Sequence, residues 1–292
     1  MAIYQTYNAL TNHEDLTDVL TKIGQMNTPV YSGLKKTKAS ATLHEWSTYD
    51  YAAADDSGQA EGFTYTYPTL TSPARVNNYT QIFNKAFQVS NTQIASDPAG
   101  MEDEYAMRVE VALKEIGRNI EKALINGTAN SGASATAREL KGMLAFITNN
   151  ISTGTGTGRA LKETELNSLL QEVHEDGGNP TWLLGSFRQK RAIAELASSN
   201  RSFNDGNKTF TSDITVYESP FGRLAVDGDS QMPSDTIAVL DKGMWEVAQL
   251  RPVAKKDTPE TTDSKNGVIT GELTLVSRAD KFNGKMTGLL TS

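Results

Sequence analysis

The stretch MEDEYAMRVEVALKEIGRNIEKALING, residues 101–127, constrains the fold more than any other part of the chain. At 100° per residue, Tyr105, Val109, Ala112, Leu113, Ile116, Ile120, Ala123 and Leu124 share about one third of a helix circumference, which predicts one long amphipathic α-helix. Glu102, Asp103 and Glu104 suit its partly positive amino end, and Gly127 stands where a left-handed residue would stop it. About 25 residues at a rise of about 1.5 Å make a rod of roughly 38 Å, about twice the usual length. Such a rod can brace a broad, thin molecule. Its other face is charged through Glu110, Lys114, Arg118, Glu121 and Lys122, with Glu110 placed ahead of Lys114 in the supportive order. Met107 and Val111, one turn apart, interrupt that face. They are either scattered surface residues or a second contact, made with another subunit.

The chain has 292 residues, 38% hydrophobic and 22% charged, enough for one large domain or two moderate ones and no sign of disorder. The absence of cysteine excludes a disulfide framework, thiolate metal sites and cysteine nucleophiles, and fits a reducing cytoplasm. His13, His44 and His174 are scattered on polar stretches and are expected at solvated surface, so imidazole chemistry is poorly supplied. The net charge of −7 is spread evenly along the chain and leaves no basic face for nucleic acid. Lys35, Lys36 and Lys38 come nearest to one and read as a solvated run. The first residues lack a charged-then-apolar leader, and no run approaches the ~18 apolar residues of a membrane span; a soluble, non-secreted protein is expected.

Residues 1–42 read as an extended arm, with a short helix expected over Glu14 to Ile23. Between Leu43 and Val89 the pattern turns to strands: Trp46 to Tyr51, a polar tip AAADDSGQAEG, then Phe63, Tyr65 and Tyr67 alternating with Thr64 and Thr66. This predicts a long hairpin. Two strands bury too little to stand alone in water, so it folds back on its own domain or lies on another subunit. A further strand puts Tyr79, Phe83, Phe87 and Val89 on one face. Beyond the long helix, residues 127–137 read as a loop, LKGMLAFI as a short buried element, and Leu161 to His174 as a second helix ended by Gly177 and Gly178. TWLLG is a short strand, and Ser186 with Gln189 makes a capping box for a third helix reaching about Ala197. This middle part alternates helix and strand, one layer of strands flanked by helices. The remainder of the chain is mainly β: a hairpin of ITVYE and GRLAV, then IAVLD and MWEVAQL, a polar interval at Lys255 to Gly267, and a last strand pair, ITGELTLVSR with GKMTGLL. No fixed repeat and no freeing linker is present.

Chemistry is sparse. Gly154, Gly156 and Gly158 lie between an apolar run and a helix, as a phosphate-cradling loop would, but Arg159-Ala160 stands where a P-loop needs Lys then Ser or Thr, and a dinucleotide fingerprint needs glycine at 159. A flexible surface loop is expected there. Asp227 and Asp229 flank Gly228 without the further oxygens or closing glutamate of a calcium loop, and read as a tight turn. The paired acids of 102–104 and 55–56 belong to a helix start and a loop tip, with no apolar surroundings to tune them. No serine occupies a nucleophile elbow.

The order of these pieces resembles the major capsid proteins of tailed bacteriophages, the fold named for the Hong Kong 97 phage. HEWSTYDYAAADDSGQAEGFTY with Glu45-Trp46, RVNNYTQIFNKAFQVSNTQ with Asn78 to Ile82, and the acidic start of the long helix are similar to that family's loop, strand and spine helix. NPTWLLGSFRQKRAIAEL, ESPFGRLAV and VLDKGMWEVAQLRP resemble its axial-domain helix, hairpin and strands. The resemblance implies an α+β fold: N-terminal arm 1–42, extended loop 43–90, peripheral domain 91–149 with the spine helix at 102–126, axial domain 150–250 and a return to the peripheral domain over 251–292. It implies a structural role and no enzyme: hexamers and pentamers forming an icosahedral shell around a double-stranded DNA genome, located in the virion after synthesis in the host cytoplasm. Implied partners are a portal and scaffolding or decoration proteins, with no membrane and no cofactor. Candidate inter-subunit contacts are Trp46, Phe63, Tyr65, Tyr67, Met107 and Val111; no catalytic, cofactor-binding or metal residue is expected. The acidic net charge suits a container that must not grip DNA. Only about 40 residues precede the hairpin, so any scaffolding is expected to be a separate protein, and no Asn or activating acid can be matched to Lys85 or the arm lysines, so no isopeptide crosslink is expected. The alternatives are an encapsulin-like shell protein and a nucleotide-binding enzyme using the 154–158 loop.

Overall fold

The computed structural model describes residues 28–52, 54–65, 67–96, 103–133, 135–154, 158–199, 216–259 and 262–291. The helix expected over Glu14 to Ile23 lies outside them. The predicted rod is present as α3, Glu104–Asn126, 23 residues long. Asp103 caps it, its carboxylate accepting from the Ala106 N–H at 3.0 Å. Its far end departs from expectation: Gly127 has φ −56° and ψ 140°, not a left-handed conformation. Crowding demands glycine instead, because a Cβ there would lie 2.5 Å from the carbonyl oxygens of both Ala123 and Leu140.

Two sheets and a short ribbon surround this helix. The first sheet runs in the order β1 (Lys35–Lys38), β10 (Trp245–Thr258), β11 (Ser264–Ser277) and β4 (Gln81–Ser90). The second runs β5 (Ile151–Thr153), β12 (Gly284–Thr287), β9 (Ile237–Leu240), β6 (Trp182–Gly185), β8 (Gly222–Gly228) and β7 (Val216–Ser219). A separate antiparallel pair joins β2 (Leu43–Thr48) to β3 (Ala74–Tyr79). The arm's end is therefore not featureless: helix α1 (Pro29–Gly33) precedes β1, which pairs in parallel with β10. Among the described residues no helix is long and apolar enough to cross a membrane.

Other expectations need correcting. Phe63, Thr64, Tyr65 and Tyr67 lie outside any strand, despite the alternation of this run; the ladder closes at Thr48↔Ala74, and among the described residues no third strand offers hydrogen bonds beyond it. The polar interval at 255–267 is largely sheet, because β10 and β11 continue pairing out to Thr258↔Asn266. Nor do the last two strands pair: β11 lies in the first sheet, whereas β12 inserts between β5 and β9 of the second. The chain passes from the second sheet to the first between Leu240 and Trp245, and returns by way of residues 278–283.

Burial explains the arrangement. One core joins α3, the first sheet and the ribbon root, with Ile116, Ile120, Leu124, Trp245, Leu275 and Trp46 among its members. A second lies beneath α5 (Glu163–Glu175), built from Leu166, Leu169 and Leu170 against Leu183 and Val239. Strand β6 is buried on both faces, with Trp182 and Leu184 in the first core and Leu183 in the second, so its apolar run is continuous. Gly267 faces the Phe87 and Tyr105 rings, which pack 5.4 Å apart; a Cβ would come 2.5 Å from the Phe87 ring. Helix α6 (Phe187–Ser199) starts with half of the expected capping box: Ser186 Oγ accepts from Gln189 N–H at 3.3 Å, while the Gln189 side chain donates to the Ser234 and Leu290 carbonyls instead.

Candidate functional site

Strands β2 and β3 carry a ribbon whose root and span differ in chemistry. At the root, Trp46 packs its ring 6.2 Å from Phe146, which meets Trp245 at 6.1 Å. Asn78, 1% exposed, is bound on three sides: its amide donates to the Lys141 and Leu275 carbonyls and its oxygen accepts from the Lys141 N–H at 2.7 Å. Sequence order alone could not show that this asparagine is the clasp between ribbon and body. His44 meets the Trp46 ring at a tilt, 5.9 Å between centroids, and is half-buried, not solvated as expected; burial, then the Arg278 charge, lowers its pKa. His174 stacks on Phe221 at 5.6 Å, and His13 lies outside the described residues.

Along the span the aromatic side chains face solvent. Tyr51 is 94% exposed, Tyr67 88%, Tyr65 72% and Phe63 45%. Phe63 and Tyr65 touch only edge to face, at 5.0 Å between centroids. Trp46 departs from the other candidates, since it is 8% exposed and serves the chain's own core. Met107 and Val111 are half-buried on α3. Leu113, in the middle of the predicted core stripe, is 46% exposed. Between the ribbon root and β11 lies a groove of about 780 Å³ whose wall includes Thr48, Tyr49, Arg75, Lys141 and Lys281.

The charged face of α3 hides another departure. Glu121, expected in solvent, is fully buried and accepts from the backbone N–H groups of Val30 at 2.7 Å and Tyr31 at 2.8 Å. Burial, then hydrogen bonding with the equally buried Asp229, pushes its pKa up to about 8. Ile125, four residues on along the same line of the helix and also fully buried, was the signal that this side is covered. Asp229 is thus no part of a cation loop. Its neighbour Asp227 belongs to β8 and accepts from the Trp182 indole at 2.8 Å.

Among the described residues no group of three or more His, Asp or Glu side chains could hold a metal ion. The glycine loop's residues 155–157 lie outside the described set, and its flanks are closed: Gly154 N–H donates to the Thr287 carbonyl, and Arg159 is held by Ser152 and by Glu165 at 3.0 Å.

Residues 2–290 match the family model described as SU10 major capsid protein. No curated protein sequence matches. Among solved structures, the Cyanophage A-1(L) capsid asymmetric unit superposes with a TM-score of 0.74 at 14% identity, covering 99% of each chain. A structure from Microbacterium phage Oxtober96 gives 0.68 at 16% identity, over 98% of this chain and 99% of that one. The holo-SrpI encapsulin complex from Synechococcus elongatus gives 0.61 at 10% identity, over 100% and 98%.

Proposed function

The chain belongs to the SU10 major capsid protein family, a structural component of the phage capsid and not an enzyme, and from that premise we propose how its copies close a shell. Each copy lays its ribbon, residues 49–73, over a neighbour, so that Phe63, Tyr65 and Tyr67 leave water only in the assembly. Met107, Val111 and the exposed Leu113 give α3 a second, smaller contact. Hexamers and pentamers built in this way form an icosahedral container for double-stranded DNA, with a portal at one opening and scaffolding or decoration proteins as further partners. Synthesis takes place in the host cytoplasm. The acidic net charge of −7 supports a wall that does not cling to its cargo.

The observation that carries this reading is the exposed aromatic span. At about 25 cal/mol per Å² and on the order of 100 Å² covered per ring, each side chain contributes roughly 2–3 kcal/mol to a contact with a neighbour. Among the described residues of 49–73 no strand pairing is present to cover these rings. Electron microscopy of the purified protein is expected to show closed particles, and nuclease-protected DNA inside particles from infected cells. Dispersed monomers at high concentration would overturn the reading, and protein cargo without DNA would favour an encapsulin-like container.

A further inference from the structure

We propose that Glu121 keeps a proton and donates it to Asp229, and that this hydrogen bond latches the long helix α3 to the loop 229–232 that follows β8. The two side chains come from distant parts of the chain and are both fully buried. Asp229 Oδ1 accepts from the Gln231 N–H at 2.7 Å, while Oδ2 faces no donor among the described residues. Two ionised carboxylates can only accept hydrogen bonds, so the pair is satisfied only when one of them carries a hydrogen. The two N–H groups aimed at Glu121 argue against a metal cation in the gap.

Among the described residues, the charged groups on the surrounding elements have other partners or face solvent. From the arm, Tyr31 presents its N–H, and Lys36 sits over the Tyr31 ring at 4.5 Å. From the second sheet, Asp227 is bound by the Trp182 indole, and Lys242 lies over the same indole ring at 5.2 Å. On α3 itself Arg118 and Lys122 are exposed, and Asn126 donates to the Gln231 carbonyl at 2.6 Å, a neutral second tie to the loop. Asp229 is the titratable group that acts on Glu121.

Loss of the proton separates the partners unequally. An ionised Glu121 still accepts from Val30 and Tyr31, and more strongly, so the arm stays docked. The loop, facing a second buried negative charge, is driven off. Glu121's folded pKa of about 8 lies above its ordinary 4.5, so the folded chain binds more protons than the unfolded one across that window. Stability from the latch is therefore complete below about pH 4.5 and is lost as the pH rises through about 8. The device acts within one folded chain and is independent of how copies assemble.

Asp229→Asn is the discriminating variant. Its amide oxygen keeps the Gln231 hydrogen bond and its amide nitrogen donates permanently to an ionised Glu121, so the contact closes without a proton. Urea unfolding of the unassembled full chain should show the ratio of folding constants, wild type over D229N, falling steadily as the pH rises between about pH 5 and 8. Hydrogen exchange of residues 229–233 should accelerate with pH, beyond the intrinsic effect, in wild type alone. Parallel stability curves for the two proteins would overturn the proposal. Should D229N fail to fold, infrared spectroscopy decides on wild type: a protonated-carboxyl carbonyl band persisting at pH 7 and vanishing above about pH 9 supports it, and absence of the band at pH 7 refutes it.

Discussion

The root of the ribbon and its span use the same kinds of residue for opposite ends. At the root Trp46, 8% exposed, is enclosed by Phe146 and His44, and Asn78 is tied to the body by three hydrogen bonds. A few residues further out Tyr51 is 94% exposed and Tyr67 88%. Aromatic character alone therefore does not say whether a side chain stabilises its own fold or an assembly. What separates the two groups is a second layer: the root lies on α4 (Met143–Phe146) and the start of β10, whereas among the described residues the aromatic rings of the span, Tyr51, Tyr65 and Tyr67, stay largely exposed.

Substitutions can break this contrast. Replacing Phe63, Tyr65 and Tyr67 together with serine is expected to abolish particles, with a loss of roughly 6–9 kcal/mol per subunit contact, while the melting temperature of the isolated chain stays within about 2 °C. Particle yield and calorimetry check both halves; a chain that melted early would mean that the span is folded onto its own body. Trp46→Ala is expected to do the reverse, destabilising the single chain by about 3–5 kcal/mol in urea unfolding through the cavity it leaves. The smallest effect is expected at the root's surface, where Arg75 and Glu45 pair across the strands at 3.6 Å with side chains 72% and 38% exposed. Arg75→Ala should cost under about 1 kcal/mol and less in high salt, since water and ions already screen that pair. A larger loss would mean that the root is held by charge and not by packing.

Where the chain's pattern is periodic and local, sequence and structure agree. Helix α3 falls within two or three residues of its expected ends, β6 and β9 occupy TWLLG and IAVLD, and Ser186 caps α6. They part where a long-range partner overrides the pattern. Phe63, Tyr65 and Tyr67 meet no neighbouring strand among the described residues, and the polar interval after Lys255 is carried into sheet by the pairing of β10 with β11. Leu113 sits at the middle of the apolar stripe, but none of the described elements of its own chain covers it.

Sequence by itself determined the long helix, the mixed α+β class, the lack of equipment for catalysis and, through the order of its motifs, the capsid family. Those properties rest on spacing and residue type, which act over a few neighbouring positions or over the whole chain at once. Only the tertiary structure decided that Glu121 leaves the charged face to meet Asp229, that Asn78 clasps the ribbon, and that the final strand crosses to the second sheet. Each of these joins residues far apart in the chain, and burial of a polar group becomes favourable only once its distant partner has been brought to it.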